Sequence, residues 1–87
     1  MYQLKGSNMK FSDIDVLMKG EAQKAVWSLF KQYKKMRVGE VAKKIGREPS
    51  NVTPIINKLI GYKALEKTLV DGKEINGLYN LKKGVTK

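Results

Sequence analysis

The sequence predicts an α+β fold with its helices first and a β-hairpin last. Three observations carry that expectation. Within residues 21–60, apolar side chains recur at three- and four-residue spacing in three separate runs, the period of helices that each bury one face. Residues 64–81 change to two strand-like runs on either side of Asp71 and Gly72, a strong two-residue hairpin signal. Between the second and third helical runs, Gly46 and Pro49 stand where a glycine ends one helix and a proline opens the next, so a tight turn joins the two.

Taken in order, residues 1–10 are polar, with Gly6, Ser7 and Asn8 in a row, and are expected as a frayed arm or irregular lead-in. Residues 11–18, FSDIDVLM, admit two readings. Ile14, Val16 and Met18 form one face of a short strand, or the segment is the first turns of a helix capped by Ser12. Residues 1–18 together are expected as an N-terminal arm offering a dimer contact, and residues 19–87 as the domain proper. The first firm helix is 21–34, opened by Gly20, with Ala22, Ala25, Val26, Leu29, Phe30 and Tyr33 as its apolar stripe. Trp27 lies beside that stripe. It either widens the core face or packs on a second subunit or on the arm.

A basic turn follows at 34–37, with a short strand at 36–38. The second helix opens at Gly39, buries Val41, Ala42 and Ile45, and leaves Glu40, Lys43 and Lys44 outside. Glu48 takes the N-cap position of the third helix, 49–60. Val52, Ile56 and Leu59 face the core, Ile55 and Ile60 flank them, and Ser50, Asn51, Thr53, Asn57 and Lys58 fall on the other side. Pro54 is awkward, because a proline in a helix interior removes one backbone hydrogen bond at a cost of ~3 kcal/mol. In the hairpin, strands 64–70 and 73–81 pair Val70 with Lys73, and Ile75, Tyr79 and Leu81 share a face. Gly77 marks a bulge or a close approach. Residues 82–87 read as a short basic tail.

Composition narrows the chemistry. Eighty-seven residues, 41% of them apolar, make one domain with a feasible core. The formal net charge is +10, and it is uneven: residues 1–30 hold four Lys against three acids, residues 31–87 fourteen Lys or Arg against five. Such a balance favours an anionic partner, nucleic acid or an acidic membrane surface, over a merely soluble basic protein. Its concentration in the helix-turn-helix half favours nucleic acid. With no Cys and no His, disulfides, thiolate metal sites and imidazole chemistry are excluded. Asp13 and Asp15 have the first spacing of a calcium loop, but neither the Gly nor the distal Glu follows, so no metal and no cofactor is assigned. Ser28 and Ser50 have no base to activate them, and no paired acids stand in a suitable context, so no enzyme is expected. No apolar run approaches the ~20 residues of a membrane span, and the N-terminus is not a signal peptide. No membrane association and a cytoplasmic location are expected.

The order helix, short strand, helix, turn, helix, hairpin is that of a winged helix-turn-helix: three helices plus a small antiparallel β-hairpin wing. Helix 49–60 would then enter the major groove of double-stranded DNA. Asn51 and Asn57 can make bidentate contacts to adenine, and Ser50 and Thr53 can reach phosphate or base. The Thr53 methyl and the Pro54 ring can touch a thymine methyl. Backbone amides at 49–51 can hold a phosphate, and Lys43, Lys44, Arg47 and Lys58 supply further phosphate contacts. Lys73, between Asp71 and Glu74, makes a weak wing tip. The plain alternatives are that Ser50 and Asn51 are local caps, that Lys43 and Lys44 are an ordinary solvated face, and that the domain binds protein.

Residues 41–67, VAKKIGREPSNVTPIINKLIGYKALEK, resemble the helix-turn-helix of the MarR family of winged-helix regulators. The likeness lies in Thr53 and Pro54 followed by two apolar residues, then Asn57, Lys58 and Leu59. Asp71 and Lys73 resemble the family's wing-tip Asp-x-Arg with Lys for Arg, and Leu81, Lys82, Lys83 and Gly84 resemble its Leu-Thr-x-x-Gly. The resemblance covers residues 20–84 in element order. It departs at Lys63 and Ala64, where the family has Gly-Leu, and in the C-terminal dimerisation helix, for which only three residues follow Gly84. It implies the family's DNA-binding core, as in short plasmid, viral and archaeal winged-helix proteins. The expectation is therefore a sequence-specific transcriptional regulator, a homodimer on an inverted repeat, paired through the N-terminal segment and first helix. A plasmid replication, partition or DNA-coating protein of low specificity is the alternative.

Overall fold

The computed structural model describes residues 9–82 and 84–86, so residues 1–8 of the expected arm, 1–18, lie outside them. The order is β1 (Met9–Lys10), α1 (Phe11–Asp15), α2 (Gly20–Tyr33), β2 (Lys35–Arg37), α3 (Val38–Ile45), α4 (Pro49–Gly61), β3 (Leu65–Val70), β4 (Lys73–Leu81) and β5 (Val85–Thr86). The class is α+β, with four described helices where three were expected.

The additional helix is α1. Its N-cap is Lys10 rather than Ser12: the Lys10 N–H donates to Asp13 Oδ2 at 3.0 Å, so a first-turn carboxylate caps the helix. Ile14 is fully buried, whereas Val16, expected on the same face, is 77% exposed, because successive even residues do not share a face on a helix. Met18 is also in the core. Residues 10–18 thus contribute Ile14 and Met18 to the core. In α2, Val26, Trp27 and Phe30 form the buried stripe. Trp27 is 1% exposed, packs edge-on against Phe11 at 5.6 Å between ring centres, and donates its indole N–H to Asp15 Oδ1 at 2.6 Å. Both its ring and its N–H are engaged inside its own chain.

The α3 helix begins at Val38, one residue earlier than expected, where the Arg37 N–H donates to Glu40 Oε1 at 3.0 Å. Gly46 ends it in the left-handed region (φ 70°, ψ 36°), and the N–H groups of Gly46 and Arg47 close its last turn on the carbonyls of Lys43 and Ala42. In α4, Val52, Ile56 and Leu59 are all fully buried. At about 1.5–3 kcal/mol each, these three outweigh the ~3 kcal/mol penalty of the interior Pro54, so the helix runs through it. At its far end Lys63 (φ 68°) adopts the conformation normally given to glycine, while the Lys63 and Ala64 N–H groups donate to Ile60 and Leu59 at 2.9 Å.

The hairpin turn has positive φ at both Asp71 (54°) and Gly72 (79°), which matches the strand twist, and Val70 faces Lys73 as expected. β4 is the middle strand of an antiparallel sheet, order β2-β4-β3. Lys67 faces Tyr79 but Leu69 faces Glu74, so β4 loops out between them, and Gly77 (φ 76°) lies in that irregularity. A Cβ there would stand 3.7 Å from Val38 Cγ1, an ordinary contact, so the glycine answers the backbone rather than a lack of space. β1 and β5 pair in parallel, and Val85 is buried. The expected C-terminal tail is in this part a strand of the fold. No described helix is long and apolar enough to cross a membrane.

Candidate nucleic-acid interface

The helix α4 presents two unlike sides. One side carries the three buried aliphatics; the other carries Ser50, Asn51, Pro54, Asn57 and Lys58, all exposed, at three- and four-residue spacing. This is a stripe of short polar groups with a basic end. Pro54, Asn57 and Lys58 share a shallow depression with Ile55 and with Gln23 of α2. Gln23 was not expected here. Its Oε1 accepts the Lys19 N–H at 2.8 Å, which holds the side chain at the start of α2 and leaves its amide NH₂ as a donor. The only signal in the sequence was a polar residue flanking the α2 stripe.

Two expected contributions are altered. Thr53 is half-buried and its hydroxyl donates back to the Pro49 carbonyl at 3.0 Å, so it is turned along the helix rather than outward. The amides at 49–51 are fewer than expected as anion ligands. Pro49 has no N–H, and the Asn51 N–H donates to the Glu48 carbonyl at 2.9 Å, leaving Ser50 as the donor of that stretch. The capping alternative for Ser50 and Asn51 fares no better. Glu48 is the N-cap and no side chain caps this end.

Cations flank the stripe. Lys43 and Lys44 are exposed in the last turn of α3, where a positive charge also answers the helix dipole. Lys44 is positioned further: its Nζ lies 5.1 Å from the centre of the half-exposed Tyr33 ring, a contact of about 0.5–1 kcal/mol at such a site. Arg47 is exposed in the turn between α3 and α4. Lys73 stands apart, exposed at the hairpin tip. β3 leaves the end of α4 at Leu65 and runs about 17 Å to Val70 at ~3.3 Å per residue. Near the tip Lys67 pairs with Glu74 at 3.6 Å, and Leu69 and Val70 are 60% and 49% exposed. The tip is therefore close to neutral, with two exposed aliphatics on the strand that leads to it. Among the described residues, no group of three His, Cys, Asp or Glu could hold a metal ion.

No family model and no curated protein matches the chain. Among solved structures, it is similar to the crystal structure of RV1404 from Mycobacterium tuberculosis, with a TM-score of 0.62 at 14% identity. The match covers 84% of this chain and 49% of that one, so the chain spans about half the length of its structural neighbour. At that identity the likeness is one of fold.

Proposed function

We propose that the chain is a winged helix-turn-helix protein that binds double-stranded DNA, with α4 in the major groove and the β3–β4 hairpin as wing. The observation that supports this most is the two-sided α4: a fully buried aliphatic face anchors it, and the opposite exposed face presents Asn51, Asn57 and Lys58 beside Lys43, Lys44 and Arg47. Asparagines can read adenine edges; the cations neutralise phosphates. Regulation of transcription by a homodimer on an inverted repeat belongs to the same proposal.

The test compares two variants across a panel of duplexes. Asn57→Ala is expected to relax sequence preference, a loss of about 1–3 kcal/mol confined to the preferred sites. Lys44→Ala is expected to weaken all duplexes alike and to lower the slope of log affinity against log salt by about 1. Equal behaviour of both variants on every sequence would remove the specific reader. A second reading, a coating protein of low specificity, draws on the wing tip: Lys73 lies between two acids and Lys67 is tied to Glu74. Footprinting separates the two, since a reader protects one site and a coating protein protects a spreading tract.

A further inference from the structure

The α4 interface uses five of the fourteen basic residues in 31–87, namely Lys43, Lys44, Arg47, Lys58 and Lys73. Five others gather in one place. Lys31, Lys34, Lys35, Lys67 and Lys82 line an open hollow on the sheet side of the molecule, with Glu66 as its one carboxylate, and no wall of it comes from α3 or α4. The strand pattern explains the arrangement. Met36 points into the core, so Lys35 is turned to the opposite face, across from Asn80 and then Glu66.

The acids nearby are already engaged. Glu66 lies 3.7 Å from Lys82 and accepts from Asn80 Nδ2 at 3.1 Å; Asn80 Oδ1 accepts the hydroxyl of the buried Thr68 at 2.6 Å. Lys31 pairs with Asp15 at 2.8 Å and Lys67 with Glu74. Lys34 and Lys35 form no ion pair among the described residues. The hollow thus has a fixed polar floor and an excess of cations at its rim. Lysine ammoniums on flexible stems, spread over several elements and open to solvent, suit an extended polyanion rather than one small anion.

We infer that this hollow is a second contact for duplex DNA, taking its phosphate backbone, so that one chain holds one duplex on α4 and another against the sheet. The inference rests on the α4 reading for the first duplex only. Its consequence is bridging of separate duplexes.

The test uses the full chain in three forms: the unaltered protein, Lys34→Gln with Lys35→Gln, and a control of equal charge loss, Lys24→Gln with Lys63→Gln. Binding of one short duplex is measured by mobility shift, and bridging by capture of a fluorescent duplex on beads that carry another. The unaltered protein and the control are expected to do both. The hollow variant is expected to keep its single-duplex binding but lose capture about tenfold or more, as removal of phosphate contacts does. Capture undiminished in that variant overturns the inference, for a dimer with two α4 faces would then suffice. Equal loss of binding and capture overturns it too, because the two sites would be one. If the unaltered protein binds a duplex but captures none, the hollow fails while the α4 reading stands; if it binds no duplex, both fail. Binding to phosphatidylserine vesicles that the hollow variant loses, with capture retained, would assign the hollow to membranes instead.

Discussion

Asp15 shows how one side chain can decide a packing arrangement. It accepts the indole N–H of the buried Trp27 and the ammonium of Lys31. The Lys31 hydrogen bond, with help from that of Trp27 and against partial desolvation, holds its carboxyl below the ordinary aspartate value. Because the folded pKa is the lower one, ionised Asp15 adds stability at neutral pH, and this is lost as the pH falls below about 4. The carboxylate is half-exposed, so its charge is screened and the bond to the indole matters more. Asp15→Ala is expected to cost about 1–3 kcal/mol by leaving a buried donor unpaired, read as a lowered melting temperature. Asp15→Asn keeps an acceptor; it should recover most of that loss and flatten the acid limb of a stability–pH profile. A drop as large in Asn as in Ala would place the effect in the charge instead. None of this was visible beforehand: the sequence offered Asp15 only as half of an abortive calcium spacing.

Among the elements, α4 is where propensity and packing pull apart. Pro54 removes the N–H that would have reached Ser50, yet the helix continues because three aliphatics on its other face are fully buried. Pro54 is exposed, so its ring is not a core group. Pro54→Ala is therefore expected to raise thermal stability, by up to about 3 kcal/mol, while weakening DNA binding if the ring meets a thymine methyl. A lower melting temperature in that variant would mean that the ring carries packing. The turn of the hairpin was legible to the residue, since its two positive φ angles admit few residue pairs other than Asp-Gly and its close relatives. The irregularity at Gly77 was legible for the same reason. The α1 helix was not, because five residues are too few for periodicity to separate a helix from a strand.

For the whole molecule, the question is how the chain meets partners. The core takes up Ile14, Met18, Trp27 and Val85 from the segments expected to serve as arm, dimer contact and tail. Of the described N-terminal apolar groups, Val16 remains outward at 77% exposure. If the proposed homodimer forms through this segment, Val16→Glu should convert it to a monomer in sedimentation while the melting temperature holds. An unaltered protein that sediments as a monomer at all concentrations, with and without DNA, would remove the dimer from the proposal. Charge belongs to this scale too. The sequence located the basic excess in residues 31–87, but their division between the α4 side and the sheet hollow depends on which way each strand residue points.

Local rules sufficed for the α+β order, the turn between α3 and α4, the buried face of α4 and the turn of the hairpin. Each depends on spacing or on backbone angles that few residues tolerate, and such constraints act over three to seven neighbours. Contacts between distant segments needed the folded chain. The placing of Trp27 against Phe11 and Asp15, the pairing of β1 with β5, the recruitment of Gln23 beside Asn57 and the gathering of five lysines at the sheet all join residues whose approach no local pattern encodes. The α4 stripe lay within the first group, which is why its residues could be named in advance; the orientation of Thr53 and the loss of the Asn51 amide could not, since both were settled by hydrogen bonds formed only once the helix had closed.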